Sequence, residues 1–193
     1  MRVYLAGPEV FLPNAVEAGQ KKKDICTKYG LTGVYPLDSG ADLSGDDQAL
    51  IALRICEANE RLIRTCSFLI ANMTPFRGPS ADVGTAYEMG YARGHGLRVF
   101  AYTNEEDRFV ARTLSFLGDS AKPAQVFGAP GFVDGEGMAV ESFTGLWDNL
   151  MLDGAVIGSG SHVVAQTPLL SPRCSNLGAF EACVAEAVRV FGV

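Results

Sequence analysis

Ser67-Phe68-Leu69-Ile70-Ala71-Asn72-Met73, the loop Thr74-Pro75-Phe76-Arg77-Gly78-Pro79-Ser80, and the segment Asp82-Val83-Gly84-Thr85-Ala86-Tyr87-Glu88-Met89-Gly90-Tyr91-Ala92 form the stretch on which the fold turns. The first run is continuously apolar, the pattern of a strand buried on both faces. Two prolines and a glycine end it. A helix then starts near Asp82 and stops around Gly94-His95-Gly96, where glycine suits the residue past a helix end. Leu97-Arg98-Val99-Phe100-Ala101-Tyr102 follows as a second buried strand. A strand, a helix and another strand with no hairpin turn between them predict a parallel crossover unit.

The same alternation extends toward the N-terminus. Residues 2–6 read as a short strand stopped by Gly7-Pro8, and Asn14 to Tyr29 as a helix with apolar positions at Ala15, Val16, Ala18, Ile25 and Cys26. Val34-Tyr35-Pro36-Leu37 makes a weak strand, Asp38 to Asp47 a polar loop, and Gln48 to Thr65 a second, partly buried helix. Such repeated alternation predicts an open α/β fold around a parallel sheet. Beyond Thr103 the pattern weakens. Residues 104–142 mix charges, Gly and Pro; Gly145 to Leu152 suggests a short helix, Ala155-Val156-Ile157 a strand, and 176–192 a closing amphipathic helix. Residues 158–175, rich in Gly, Ser and Pro, read as a surface loop or insertion within a single domain spanning 1–193.

Composition narrows the function. The chain has 193 residues and a net charge of −6, which argues against nucleic acid as a partner because phosphate binding needs a basic face. Lys21-Lys22-Lys23, the one basic run, reads as a solvated helix face. The five cysteines are odd in number and form no CxxC pair, so reduced, mostly buried thiols in a cytoplasmic protein are expected. The N-terminal apolar stretch is too short for a signal peptide, and no run approaches a membrane span of ~18 residues. With only His95 and His162, histidine triads and multi-histidine metal sites are disfavoured.

In open α/β sheets ligands bind beyond the carboxyl ends of the strands. Three such ends carry unusual residues: Gly7 to Phe11, Asp38-Ser39-Gly40, and 74–82. The last opens into the helix containing Gly84 and Gly90, each costing about 1 kcal/mol relative to alanine in a helix interior. Glycine so placed marks a spot where something approaches the backbone closely. Asp82 is a natural helix cap, and Glu88 taken alone reads equally well as an exposed helix residue or as a site residue. Together they say more. Six helical positions advance the backbone by ~9 Å, and side chains tilt toward the helix N-terminus. Glu88 and Asp82 can therefore reach one small ligand, as nucleophile and proton donor for glycosidic chemistry. A phosphate site on Gly78-Pro79-Ser80 competes, but both acids would repel the anion. Neither GxxxxGK[ST] nor GxGxxG occurs.

Three stretches carry a family resemblance: Val3-Tyr4-Leu5-Ala6-Gly7-Pro8 with Phe11, Asn72 to Gly78, and Asp82 to Ala92. In that order, with Asn59 and Asn149-Leu150-Met151-Leu152, they resemble the nucleoside 2-deoxyribosyltransferases over roughly residues 2–157. The resemblance implies a flavodoxin-like, doubly wound open sheet with helices on both faces, and transfer of 2-deoxyribose through a covalent glutamyl ester. Glu88 would be the nucleophile, Asp82 the general acid and base, and Tyr4, at the end of the first strand, the residue orienting Glu88. Phe11 would pack on the base, Asn59 would bind the sugar, and Asn149 would reach a neighbouring subunit's site in a homo-oligomer. No metal or organic cofactor is needed. Segment 158–175 has no counterpart in the pattern, and Asp153-Gly154 directly follows the Asn-Leu-Met-Leu run. Two alternatives stay open: hydrolysis of deoxynucleosides or their 5'-monophosphates, and non-catalytic binding of a nucleoside or nucleotide derivative. Glu9, Leu12 and Pro13 in the first loop disfavour a 5'-phosphate, whereas Arg77 and Ser80 would tolerate one.

Overall fold

The structure is a computed structural model and describes residues 1–167 and 172–192. The expected alternation is present. Strand β1 (Arg2–Ala6) leads through a single 3-10 turn (Pro8–Phe11) to helix α1 (Ala15–Lys28), then β2 (Thr32–Val34), α2 (Gln48–Arg64), β3 (Phe68–Asn72), α3 (Val83–Gly94) and β4 (Arg98–Thr103). After these come α4 (Phe109–Leu117), a hairpin of β5 (Lys122–Val126) and β6 (Ala129–Val133), α5 (Leu150–Ile157), β7 (Val164–Ala165) and α6 (Gly178–Phe191). The main sheet is parallel in the order β2-β1-β3-β4-β7. That is the flavodoxin-like order, with the switch point between β1 and β3.

Side-chain alternation sorts the two faces even though β3 is buried throughout. Tyr4, Ala6, Leu69, Ala71, Val99 and Ala101 meet residues of α2, α3 and α5, including Ile63, Met89, Ala92, Leu152 and Val156. Val3, Leu5, Phe68, Ile70, Phe100 and Tyr102 meet Ile25 and Cys26 of α1 and Phe180, Cys183, Val184 and Ala187 of α6. Covering both faces is what lets an apolar parallel sheet exist in water. Among the described residues, no helix is long and apolar enough to cross a membrane.

Six expectations are corrected. Of Val34 to Leu37 only Val34 is strand, and Pro36–Ser39 form a 3-10 turn, where proline has no amide to give a sheet. The short helix read over Gly145 to Leu152 begins only at Leu150. Ala155-Val156-Ile157 is helical: Asn149 caps α5 by accepting the Met151 amide at 3.0 Å, and Leu152 and Val156, four apart, bury one stripe in the core. The fifth strand is instead Val164–Ala165, inside the stretch read as loop or insertion; residues 168–171 of that stretch lie outside the described residues. Lys22 is no part of a solvated face. It is fully buried, because Ala18, Lys22, Ile25 and Cys26 fall on the same side of α1. Tyr4 lies in the middle of β1, and its length carries the hydroxyl across to α3.

Candidate active site

Asp82 caps α3 in the expected way. Its Oδ2 accepts from the Thr85 amide at 2.9 Å and the Thr85 hydroxyl at 3.2 Å, and its Oδ1 has no protein donor among the described residues. Gly84 belongs to this arrangement, since a Cβ there would stand 3.0 Å from Asp82 Oδ2. Open space surrounds Gly90, and nothing in the structure requires glycine there. One residue of the loop before α3 holds a left-handed backbone without being glycine: Arg77, with φ 56°.

That loop is pinned by Asp148, a fully buried residue that sequence reasoning passed over. Its carboxylate accepts from the Ser80 hydroxyl and, at 2.9 Å, from the Ala81 amide. Arg112 stands beside it at 3.4 Å and also donates to the carbonyls of Pro79, Asp107 and Trp147. The Ser80 hydroxyl and the Ala81 amide, two donors a phosphate could use just before this helix, are therefore occupied from within. Burial pushes the Asp148 carboxyl up, with the Ser80 hydroxyl and the backbone donors opposing. A single Asp between Trp147 and Asn149 shows no periodicity or spacing to reveal this role; only its long-range partners do.

Glu88 lies one and a half turns further along α3, half-buried. The Tyr4 hydroxyl donates to its Oε1 at 2.6 Å. The Glu88 carboxyl is pushed up to about 7, first by removal from water and then by the nearby Asp82 charge, while the Tyr4 hydrogen bond and the Lys22 ammonium pull it down. Burial likewise raises the Tyr4 hydroxyl, so it stays a donor.

Glu88, Asp82, Thr85, Asn59 and Phe11 line one cavity of about 400 Å³, within the size range of small-ligand sites. Its apolar wall includes Val10, Pro36, Leu37, Leu43 and Ile55. All three loops expected to matter thus converge here. Asn59, on α2, carries a buried Oδ1 with no partner among the described residues. Phe11 is largely exposed, stacks on Phe76 with ring centroids 5.2 Å apart, and has the Arg77 guanidinium 5.3 Å from its ring. Glu9 turns inward and is buried, so the first loop presents Val10 and Phe11, not a carboxylate, to the cavity. Asn149 is not brought to this cavity: besides capping α5, its amide donates to Glu141. Among the described residues no group of three or more His, Cys, Asp or Glu is arranged to hold a metal ion.

An apolar-walled cavity holding two unlike carboxyls has the chemistry to bind a flat, weakly polar ligand and to offer it a nucleophile and a proton donor. Comparison with known proteins identifies the family. The family model for nucleoside 2-deoxyribosyltransferase matches residues 3–151. An uncharacterized protein of Schizosaccharomyces pombe is 34% identical over 168 residues, covering 83% of this chain and 79% of that one. A 2-desoxiribosyltransferase from Leishmania mexicana is similar in structure, with a TM-score of 0.62 and 25% identity over 97% of both chains. A conserved protein from Enterococcus faecalis V583, with a TM-score of 0.55 and 16% identity over 97% of this chain and 98% of that one, shares the fold.

Proposed function

Because the chain belongs to the nucleoside 2-deoxyribosyltransferase family, enzymes that move 2-deoxyribose between nucleobases, we propose that Glu88 is its nucleophile and Asp82 its general acid and base. In the first half-reaction a Glu88 carboxylate oxygen bonds to C1' of the deoxynucleoside. The N-glycosidic bond breaks, its electron pair stays on the base nitrogen, and Asp82 supplies the proton that neutralises the leaving base. In the second, Asp82 takes a proton from the incoming base, whose nitrogen attacks C1' and releases the Glu88 carboxylate. Two inversions give net retention.

The observation that carries this reading is the Tyr4–Glu88 hydrogen bond at 2.6 Å on the wall of a cavity that also holds Asp82. The hydrogen bond holds Oε1 of Glu88 and leaves Oε2 without a protein donor among the described residues. The oxocarbenium-like transition state is stabilised by the adjacent anion. Asn59, with its buried Oδ1 unpartnered among the described residues, is suited to accept a hydrogen bond from a sugar hydroxyl, and Phe11 to cover the face of the base.

Asn149 lies outside the cavity of its own chain, and we assign it to the site of a second copy. Exposed apolar side chains on three neighbouring helices of one layer favour such an assembly: Leu50 and Leu53 on α2, Val83 and Tyr87 on α3, Leu150 and Met151 on α5. The substrates are a deoxynucleoside and a free base.

Incubation with deoxyinosine and adenine tests the reading. New deoxyadenosine with free hypoxanthine supports it. Hypoxanthine without a new nucleoside indicates hydrolysis, with water as the acceptor. No change in any deoxynucleoside leaves a binding protein.

A further inference from the structure

On the sheet face opposite Glu88, beneath the first loop, lies a polar cluster whose side chains do not line the cavity; its one link to the chemistry above is the Lys22 charge, which helps pull the Glu88 carboxyl down. Glu9 is 1% exposed and Lys22 not at all. Glu9 Oε1 accepts three hydrogen bonds: from Lys22 Nζ at 2.8 Å, the Tyr102 hydroxyl at 2.8 Å and Asn72 Nδ2 at 3.0 Å. Asn72 Oδ1 in turn accepts from the Thr74 amide at 2.9 Å, and Thr74 Oγ1 from the Asn104 amide at 3.0 Å. The cluster therefore ties α1 and the loop after β1 to the ends of β3 and β4. Lys22 Nζ also stands 5.0 Å from the centroid of the Phe180 ring and 5.5 Å from that of Tyr102.

A buried ion pair is a poor way to add stability, because desolvating both charges offsets much of their attraction. An apolar plug would fill the same space. What three converging donors add is direction: they fix one carboxylate oxygen, and with it the backbone of residue 9. The fit around it is close. A Cβ on Gly7 would stand 2.0 Å from Glu9 Oε2 and 2.9 Å from Asn72 Cβ, so the loop can fold over the carboxylate only with glycine there. Gly7, Val10 and Phe11, on either side of Glu9, all face the cavity.

We infer that Glu9, Lys22, Asn72 and Tyr102 form a positioning device that sets the Gly7–Phe11 loop and thereby fixes where the nucleobase lies relative to Asp82. This rests on the reading of the cavity as a deoxynucleoside site. None of the four touches substrate. They act through Val10 and Phe11, so their loss weakens the hold on the base more than it slows the reacting groups.

The test compares Tyr102→Phe and Lys22→Met with Val3→Ala, a core truncation on the same sheet face but away from the loop. The measurements are kcat and KM for deoxyinosine, calorimetric binding of hypoxanthine, and the thermal midpoint. Tyr102→Phe and Lys22→Met should raise KM and weaken hypoxanthine binding by about fivefold or more. The kcat of Tyr102→Phe should change by less than about threefold, and so should that of Lys22→Met once compared well above the acid limb, since the lost ammonium also lets the Glu88 carboxyl rise. Val3→Ala should lower the thermal midpoint and leave KM and binding at parental values. Should Lys22→Met fail to fold, Tyr102→Phe carries the comparison, since it removes a single hydroxyl. Parental KM and binding in Tyr102→Phe, or shifts no larger than in Val3→Ala, would overturn the inference. If the parent protein turns over no deoxynucleoside, the functional reading falls separately, and hypoxanthine binding still decides the role of the loop.

Discussion

Replacing Glu88 with glutamine should make the protein more stable at alkaline pH while abolishing its chemistry. The Glu88 carboxyl goes from 4.5 to about 7 on folding, chiefly through burial. A carboxyl raised in this way holds its proton more tightly when folded, so stability is full below about 4.5 and is lost as pH rises through about 7. The spread between those values corresponds to about 3 kcal/mol of preference for the neutral form. The amide of the Glu88→Gln variant is neutral at every pH, fits the same space and still accepts from Tyr4. At about pH 8.5 the variant should exceed the parent by roughly 2–3 kcal/mol, or about 5–10 °C in thermal midpoint for a chain of this length. At about pH 4 the two should nearly coincide. Urea unfolding at both pH values reads the difference. A variant less stable than the parent at the higher pH, or an equal gap at both, would refute the claim that the cavity holds the proposed nucleophile against a desolvation cost.

Other outcomes follow from the same geometry. The pH profile of kcat/KM should have its acid limb near 7, because in the proposed mechanism attack needs the Glu88 carboxylate and protonation removes it. Tyr4→Phe deletes the hydroxyl that pulls the Glu88 pKa down, so the limb should move upward; kcat/KM at neutral pH should fall by about 10–100-fold, the worth of a hydrogen bond to a charged group. Asp82→Asn keeps the helix cap and should leave the thermal midpoint nearly unchanged. Its turnover should fall by about 100-fold or more, and least for substrates whose base departs without a proton. Glu88→Gln and Asn149→Ser, each inactive alone, should regain activity on mixing and reassembly, because a mixed oligomer rebuilds one intact site. Mixtures that stay inactive while forming mixed oligomers would remove Asn149 from the neighbour's site.

The sequence made most elements of the first hundred residues readable because there local pattern and tertiary environment largely agree; the second strand, misplaced toward Pro36, is an exception. Phe68 to Ala71 is apolar and β3 is buried throughout, and Asp82 sits where a cap belongs and caps. Agreement failed where tertiary contacts decide. Leu150 to Ile157 is apolar enough for strand or helix, and packing of Leu152 and Val156 on the core selected the helix. The two-residue β7 is too short to carry a pattern. Lys22 was hidden by its lysine neighbours, although its spacing from Ala18 and Ile25 already placed it on the apolar stripe of α1. Within the site, Glu88, Asp82, Asn59 and Phe11 were each visible as residues, and the fold brings them to one cavity. The supports were not visible. Asp148 and Arg112 lie 36 positions apart, and Glu9 and Tyr102 lie 93 apart. No local rule connects residues at such separations.

A covalent bond between Glu88 and deoxyribose is the step on which the proposed mechanism depends, and mass spectrometry of the protein quenched during turnover of a deoxynucleoside tests it most directly. A deoxyribosyl adduct is expected on the peptide containing Glu88, lost on addition of free base and absent from Glu88→Gln. Turnover with no adduct, or an adduct on another residue, would contradict the mechanism.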